Sequence, residues 1–453
     1  MKKMKKIIRI TSIVFLAGVL LTSCEKDFQN INAPSDDQIF RDKDGLMAAS
    51  IGLVQHFTTS TLSPIVEVPG ITTREFGVSS TYVTPMELTY GGTALSGENA
   101  GVSRLWSRLL RDKGMAENII ASVDAVEMPA GTKSGIAALA RFMKALTLGY
   151  LVMDFEQAPL MNGVDVEFSD RQANLTEAVS LLQEALHLIQ QDPVSEEFQN
   201  KVIPTIDLYN SILAYLARYS LYLGNYDQAI GFADQVDLTS MSQWWYDASE
   251  NKNPVYVFAV DGEPDTKPRH NFGIMVDNGN GYEEYVLEDG DGRLTFYMDT
   301  TVHEYALPEF GGFEVHNLLG FWGTPDSKIP VYLPGEMLLV KAEAHARMGH
   351  LIQAVQQIDL VRTKTDDVFG VNAGLGPWGG DATNQQAVLD EIYIQRCIEL
   401  FMSGQRLEDS RRIHSSFTPS PDKDILSERN RNYYPYPYDE RNNNPNCPPD
   451  PAI

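Results

Sequence analysis

Two segments of the chain repeat one arrangement of helix, glycine and second helix, and this repetition limits the folds available to it. Gly224 is followed five residues later by Ala229, and Gly349 is followed at the same spacing by Ala354. Each glycine suits the left-handed residue that ends a helix, and each alanine lets the second helix approach the first closely. Stacked helix pairs of this kind are typical of tetratricopeptide repeats, and an unrelated helical hairpin is the less favoured alternative.

Apolar residues at helical spacing predict further helices, which alternate with long segments that lack this pattern. The predicted helices are 105–123, 136–155, 175–189, 208–223, 226–236, 334–348, 351–363 and 387–401. The helical scaffold is expected at about 36–55, 105–236 and 334–412, and the insertions at about 56–104, 251–333 and 365–384. Residues 255–260 look like a strand. The prediction is an all-α-dominated, tetratricopeptide-like helix-pair scaffold with long irregular loop insertions and minor β structure. Loops this long in a compact protein are usually functional.

Composition sets limits on partners and on the source of stability. The net charge of −25 makes nucleic acid and anionic lipid unsuitable partners. Cys24, Cys397 and Cys447 are the only cysteines, so no disulfide framework holds the fold, although a bond between the last two is conceivable. Aromatic residues make up 10% of the chain, with 20 tyrosines, so some of them are expected to contact a ligand.

The first residues have the pattern of a lipoprotein signal. A lysine-rich start precedes an apolar run at 12–21, which is too short to span a bilayer, and the run ends in Leu21-Thr22-Ser23-Cys24. This pattern resembles a bacterial lipobox, which implies removal of 1–23 and acylation of Cys24, with palmitate among the expected chains. The loss of five positive charges would bring the net charge from −25 to −30. An ordinary secretory signal with a chance cysteine is the alternative.

Common catalytic and metal-binding motifs are missing from the sequence. It has no His-Glu-x-x-His, no phosphate-binding glycine loop with lysine and no Gly-x-Ser-x-Gly. Residues 289–292, Asp-Gly-Asp-Gly, could hold calcium but lack the spaced glutamate of an EF-hand, so a turn is preferred. We therefore expect no cofactor, no metal ligand and no catalytic residue.

Charged residues near the C-terminus admit an enzymatic and a structural interpretation. Arg396 and Glu399 are three residues apart, as are Arg406 and Asp409, and such pairs more often fix a helix against its neighbours. An arginine also lowers the pKa of an adjacent carboxyl, which does not suit a general acid at neutral pH. The structural interpretation is favoured.

The order of several segments resembles the SusD/RagB family of outer-membrane lipoproteins over nearly the whole of residues 24–453. The segments are 40–52, 105–120, 140–160, the two helix pairs, 395–412, and 434–446 with its Tyr-Pro-Tyr-Pro and Asn-Pro-Asn. The most specific is 395–412, where Gln395 and Ser403 stand in place of the usual glutamates and Ser410 in place of leucine. These departures concern the local salt bridges.

This resemblance implies a non-catalytic, lipid-anchored protein on the outer membrane, a lid that captures oligosaccharide for a SusC-type TonB-dependent barrel. A peptide-binding member of the same family is the first alternative, and a surface glycoside hydrolase, which would need two facing carboxylates, is the second. The family's ligand site lies in variable loops, which here correspond to 72–100 and 280–322. The candidate ligand contacts are Arg74, Tyr82, Tyr90, Asn99, Tyr297 and Trp322, because sugars lie on aromatic faces and bind polar groups at the rim.

The remaining tryptophans are expected to serve packing. Trp106 lies on the apolar face of a predicted helix, and Trp244 and Trp245 follow a helix end. Trp378 lies between glycines and could be exposed.

Overall fold

The structure is a computed structural model, and it describes residues 40–453. The predicted signal segment and Cys24 lie outside the described residues. The helices are α1 (Lys43–His56), α2 (Leu62–Thr72), α3 (Val83–Tyr90), α4 (Ala100–Val123), α5 (Ala130–Asp154), α6 (Arg171–Gln191), α7 (Glu196–Val202), α8 (Leu208–Tyr222), α9 (Tyr226–Ala233), α10 (Pro254–Ala259), α11 (Gly292–Tyr297), α12 (Pro334–Arg347), α13 (Leu351–Arg362), α14 (Gln385–Glu399), α15 (Arg406–Ile413) and α16 (Tyr438–Asn443).

The strands are short and form two-stranded antiparallel sheets. They are β1 (Phe76–Val78), β2 (Gln157–Ala158), β3 (Ser169–Asp170), β4 (Gln243–Trp244), β5 (Thr266–Pro268), β6 (Met275–Asp277), β7 (Tyr282–Glu284), β8 (Met298–Tyr305), β9 (Glu314–Leu318) and β10 (Ile329–Pro330). The helix-dominated fold class with minor β structure is confirmed, as are the eight helical segments, several of which begin earlier than the periodicity indicated.

Neighbouring helices in the chain pack against each other along the scaffold. Helix α5 packs between α4 and α6, α8 packs on α9, and α12 packs on α13. Helix α5 is long and apolar enough to cross a membrane, but 94% of its apolar window is buried inside the protein. This burial identifies α5 as the central core helix of the scaffold.

The two predicted helix pairs have the same joint. Gly224 and Gly349 both have φ of 78°, which an L-residue with a side chain rarely adopts. Ala229 and Ala354 are fully buried, so each second helix packs on its methyl group. The repeat is confirmed at the residues that predicted it.

The first insertion is more helical than the sequence indicated. Helix α1 continues through a π-helical segment, Phe57–Thr61, into α2, so helical structure extends beyond residue 55, where the scaffold was expected to end. Most of α2 is buried, and Pro69 lies inside it. A helix that is apolar on every side shows no helical period, which is why the pattern did not reveal it.

Residues 255–260, predicted as a strand, form helix α10 instead. The Asn253 side chain accepts hydrogen bonds from the backbone N–H groups of Val255 and Tyr256, at 3.0 and 3.1 Å, and Pro254 occupies the first helical position. This start signal outweighs the β propensity of the valines and aromatics.

Of the two described cysteines, Cys397 is buried and Cys447 is partly exposed, and both are free thiols. The disulfide that the sequence left open is therefore not formed. Asp291 in the Asp-Gly-Asp-Gly segment caps α11 and pairs with Arg293 at 2.7 Å, so its carboxylate has a structural partner.

Candidate functional site

Three segments far apart in the sequence meet at one surface, which we call the three-segment surface. They are residues 78–95, which include α3, the turn between β8 and β9 at 305–313, and residues 418–430. The Leu307 N–H donates to the Val78 carbonyl at 3.0 Å, and the Asp424 N–H donates to the Tyr90 carbonyl at 3.0 Å. The Thr93 N–H donates to the Pro421 carbonyl at 2.9 Å. Backbone hydrogen bonds therefore fix the relative positions of the three segments.

Arg74, a predicted ligand contact, lies under this surface. Its side chain is buried and donates to three carbonyls, those of Ser427, Thr89 and Asp424, at 2.8, 3.0 and 2.7 Å. Burial lowers the pKa of Arg74 to about 9, and the Asp424 carboxylate partly offsets this effect. Arg74 joins the first segment to the third, and its guanidinium does not face solvent in this structure.

Tyr82 and Tyr90 present aromatic rings on the three-segment surface. Tyr82 is 67% exposed and precedes α3 without capping it. The Tyr90 ring is partly exposed, lies 5.4 Å from the Phe310 ring, and has the Lys423 ammonium 4.0 Å from its centroid. Tyr90 therefore contacts side chains of both other segments.

Tyr305 is a further aromatic residue of this surface, and the sequence-based selection omitted it. It is 65% exposed at the end of β8, in the second predicted ligand region. Its position before a turn of the hairpin was the available signal, but the sequence alone did not distinguish it from the many other tyrosines.

Asn99 has a local structural role at the start of α4. Its side-chain oxygen accepts from the N–H groups of Gly101 and Val102 at 3.0 and 3.3 Å, and its amide donates to Glu87 at 2.9 Å. The residue is 2% exposed. Asn99 thus holds α3 against α4 and supports the surface from below.

Tyr297 and Trp322 lie in the hydrophobic core. Their rings are stacked at 5.4 Å, and the Tyr297 hydroxyl donates to the Glu399 carbonyl at 3.0 Å. Burial raises the pKa of Tyr297 well above its ordinary value. The structure brings these two residues together, but away from the three-segment surface.

The burial of the tryptophans agrees only in part with the prediction. Trp106 and Trp244 are buried as predicted, and Trp244 lies 5.5 Å from the Phe57 ring. Trp245 is 50% exposed and lines a cavity of about 260 Å³ near Ile51, so the packing role predicted for it is wrong. Adjacent residues in an extended segment point to opposite sides, which explains why only one of the two can be buried. Trp378 is partly buried against the core.

The charged residues near the C-terminus form a buried ion-pair network with a different pairing from the predicted one. Arg396 pairs with Asp409 at 2.8 Å, and Glu399 pairs with Arg293 at 3.3 Å. Arg406 pairs with Glu75 at 3.4 Å, which links α15 to the end of α2. The three-residue spacing predicted pairs within a helix, whereas each group finds its partner on another element. The carboxylates hold the scaffold together, in agreement with the structural interpretation.

Known proteins resemble this chain in the sequence of its C-terminal part and in its overall fold. Residues 323–447, which include the buried ion-pair segment, match the model of the SusD family. A SusD superfamily protein from Bacteroides vulgatus superposes with a TM-score of 0.68 at 16% identity, over 91% of this chain and 99% of that one. The C-terminal part of the chain thus matches the SusD family, and the whole chain has a SusD-like fold. The departures at Gln395, Ser403 and Ser410 do not prevent the match.

Two further SusD-like structures cover the chain to a similar extent. One, from Bacteroides fragilis, has a TM-score of 0.67 at 14% identity, over 92% of this chain and 99% of that chain. Another from Bacteroides fragilis is described as a SusD-like carbohydrate binding protein, with a TM-score of 0.64 at 13% identity over 90% and 99%. No curated protein sequence matches the chain. At these identities the superpositions establish the SusD-like fold.

Proposed function

We propose that this SusD-like protein binds neutral oligosaccharides at the three-segment surface and releases them chemically unchanged. The observation that carries the proposal is the group of accessible rings, Tyr82, Tyr90 and Tyr305, on segments joined by backbone hydrogen bonds. Sugar rings have apolar faces that stack on aromatic side chains, and a rigid platform loses little entropy when a ligand binds.

Polar side chains next to the rings suit sugar hydroxyl groups. Thr81, Glu309, Asp422 and Lys423 are exposed on the same three segments. Together they offer donors and acceptors for hydrogen bonds at the edge of an aromatic platform. The net charge of −25 favours neutral over sulfated or uronate-rich ligands, because the overall field repels anions.

The proposal includes attachment to the outer membrane through acylated Cys24 and delivery of the captured sugar to a SusC-type TonB-dependent barrel. The sequence pattern around Cys24 and the match of residues 323–447 to the SusD family support these two points. The protein would then act as a non-catalytic binding subunit on the cell surface.

The substrate class is tested by calorimetry of the purified protein against neutral polysaccharides, a sulfated polysaccharide and a peptide mixture. We expect heat of binding with at least one neutral glycan and none with peptides. Chromatography of the recovered sugar should show an unchanged chain length. Binding of peptides alone would favour the peptide-binding alternative, and shortened sugar would show that the protein is a glycoside hydrolase.

A further inference from the structure

A cluster of histidine and glutamate side chains lies on one face of the β8–β9 hairpin. Glu314 and His316 are two residues apart on β9 and therefore share a face, while Val315 between them is buried on the other side. Arg269 forms a bridge with Val315, which brings the next residue, His270, beside β9. His303 comes from β8, one residue before the Glu304–Val315 pair. Strand pairing thus assembles residues from three parts of the chain.

The distances within this cluster suit ligands of a single metal ion. Three residues, His270, Glu314 and His316, each offer one ligand atom, and these three atoms lie within 4.8 Å of one another. The His270 Nδ1 is 2.9 Å from the His316 Nε2. Two imidazole nitrogens on a tetrahedral zinc ion are about 3.3 Å apart, since each Zn–N bond is about 2.0–2.1 Å. A small separation of the two rings would therefore admit the ion.

A backbone carbonyl fixes the ring nitrogen that His316 presents to the cluster. Its Nδ1 is 3.0 Å from the Val302 carbonyl oxygen, which can only accept, so Nδ1 carries the hydrogen. The Nε2 lone pair then points toward His270 and Glu314. This is the arrangement by which proteins orient metal-binding histidines, with the second ring nitrogen donating to a carbonyl or carboxylate. His316 is 1% exposed, so its orientation is also held by packing.

We propose that His270, His316 and Glu314 bind a divalent transition-metal ion of the zinc type. His303, whose Nδ1 is 2.5 Å from the Glu314 Oε1, holds the carboxylate in place. Two imidazoles and one carboxylate suit zinc, and the fourth position is open to water. Calcium is disfavoured, because it takes six to eight oxygen ligands and the cluster offers one carboxylate.

The site would attach the hairpin to the segment that begins at His270. The two residues that follow, Asn271 and Phe272, have φ of 55° and 58°, which is rare for residues with side chains. The tip of the same hairpin carries Phe310, which contacts Tyr90. Metal binding would therefore stiffen one component of the three-segment surface, whether or not that surface binds sugar.

The test is a titration of the full-length protein, first stripped of metal with a chelator, with Zn²⁺, Co²⁺ and Ca²⁺. We expect one bound Zn²⁺ per chain, visible d–d absorption from tetrahedral Co²⁺, and no binding of Ca²⁺. Zn²⁺ should also raise the Tm, because it binds only the folded state. Glu314→Gln and His270→Gln should each weaken Zn²⁺ binding by about tenfold or more.

Two controls locate the site. His350→Gln removes an exposed histidine from another pair, whose rings are 6.0 Å apart, and Cys447→Ser removes a partly exposed thiol. Both should leave Zn²⁺ affinity unchanged. No Zn²⁺ binding by the stripped protein, or unchanged affinity in His270→Gln, would overturn the proposal. His270 is partly exposed, so this variant decides the result even if Glu314→Gln misfolds.

Discussion

Single residues in this protein owe their roles to partners that are distant in sequence. Glu343 on α12 accepts from Arg412 on α15 at 2.7 and 2.8 Å, and both groups lie between helices. Burial alone would raise the pKa of Glu343, but Arg412 and neighbouring arginines lower it to about 2. Glu343 also pairs with Arg347 at 3.3 Å, and Arg412 also pairs with Asp409 at 2.9 Å, so the pair belongs to a larger ion-pair network.

His414 makes the stability of the fold depend on pH, and the sign of this dependence follows from its contacts. Its Nδ1 is 2.5 Å from Glu428 and its Nε2 is 3.3 Å from Asp390. Burial lowers the pKa of His414, but hydrogen bonds to the two carboxylates outweigh it and raise the pKa to about 9. The stabilisation is therefore complete below about pH 6.5, the unfolded value, and is lost as the pH rises through about 9.

We predict that the stability difference between wild type and His414→Gln falls by about 2–3 kcal/mol between about pH 6 and pH 9.5. Urea unfolding at both pH values measures it. Burial lowers the pKa of Lys113 to about 7, so this residue also makes the stability depend on pH. Its contribution is the same in wild type and variant and cancels in their stability difference. Substitution of the exposed His187 controls for loss of an imidazole. A difference that does not change with pH would disprove this role of His414.

Residue roles at the candidate site were only partly predictable from the sequence. Position along the chain placed Tyr82 and Tyr90 in segments where the structure leaves their rings accessible, but it could not separate them from the buried Tyr297 and Trp322. All four are aromatic and lie in polar insertions, and only the tertiary fold determines which rings are covered. Arg74 likewise has a structural role that the sequence did not reveal, because its partners are three carbonyls that only the tertiary fold brings to it.

At the scale of elements, the helix pairs depend on the glycine between their helices. Gly349 has φ of 78° and nothing within 4 Å of an added Cβ, so substitution would cost backbone strain without a clash. Gly231 lies inside α9 with equally open surroundings, but its φ is not in the left-handed region. The two glycines therefore differ in backbone conformation but not in crowding, so a comparison of their alanine variants isolates the effect of backbone strain.

We predict that Gly349→Ala destabilises the protein by about 1–2 kcal/mol, whereas Gly231→Ala stabilises it by about 0.5–1 kcal/mol. Chemical unfolding followed by circular dichroism measures both. Effects of the same sign would contradict the assignment of Gly349 as the left-handed joint of the repeat.

Helices with a clear apolar period were predictable, and helices without one were not. The amphipathic α4 follows the helical period of the sequence, as do the buried α5 and both repeat pairs. Helix α2 shows no period because it is apolar on nearly every side, and α10 was mistaken for a strand because it is short and rich in valine and aromatic residues. The bridge between Arg269 and Val315 of β9 had no local signal.

At the scale of the whole molecule, a helical scaffold with one large hydrophobic core supports the long insertions between its helices. One large hydrophobic core cluster extends from Leu46 on α1 to Tyr436 near the C-terminus. The C-terminal segment returns to contact α2, since the Tyr434 hydroxyl is 2.7 Å from the Thr72 hydroxyl. The Asn430 N–H likewise donates to the Thr72 carbonyl at 3.2 Å, so a backbone hydrogen bond joins the third segment of the three-segment surface to α2.

The most direct measurement is the affinity of Tyr82→Ala/Tyr90→Ala for the glycan that binds the wild type best. We predict a loss of about tenfold or more, because two stacking contacts disappear, with circular dichroism and cooperative unfolding retained. Tyr209→Ala, which removes a 40% exposed tyrosine from α8, should bind as the wild type does. Equal affinity of the double variant and the wild type would contradict sugar capture at the three-segment surface.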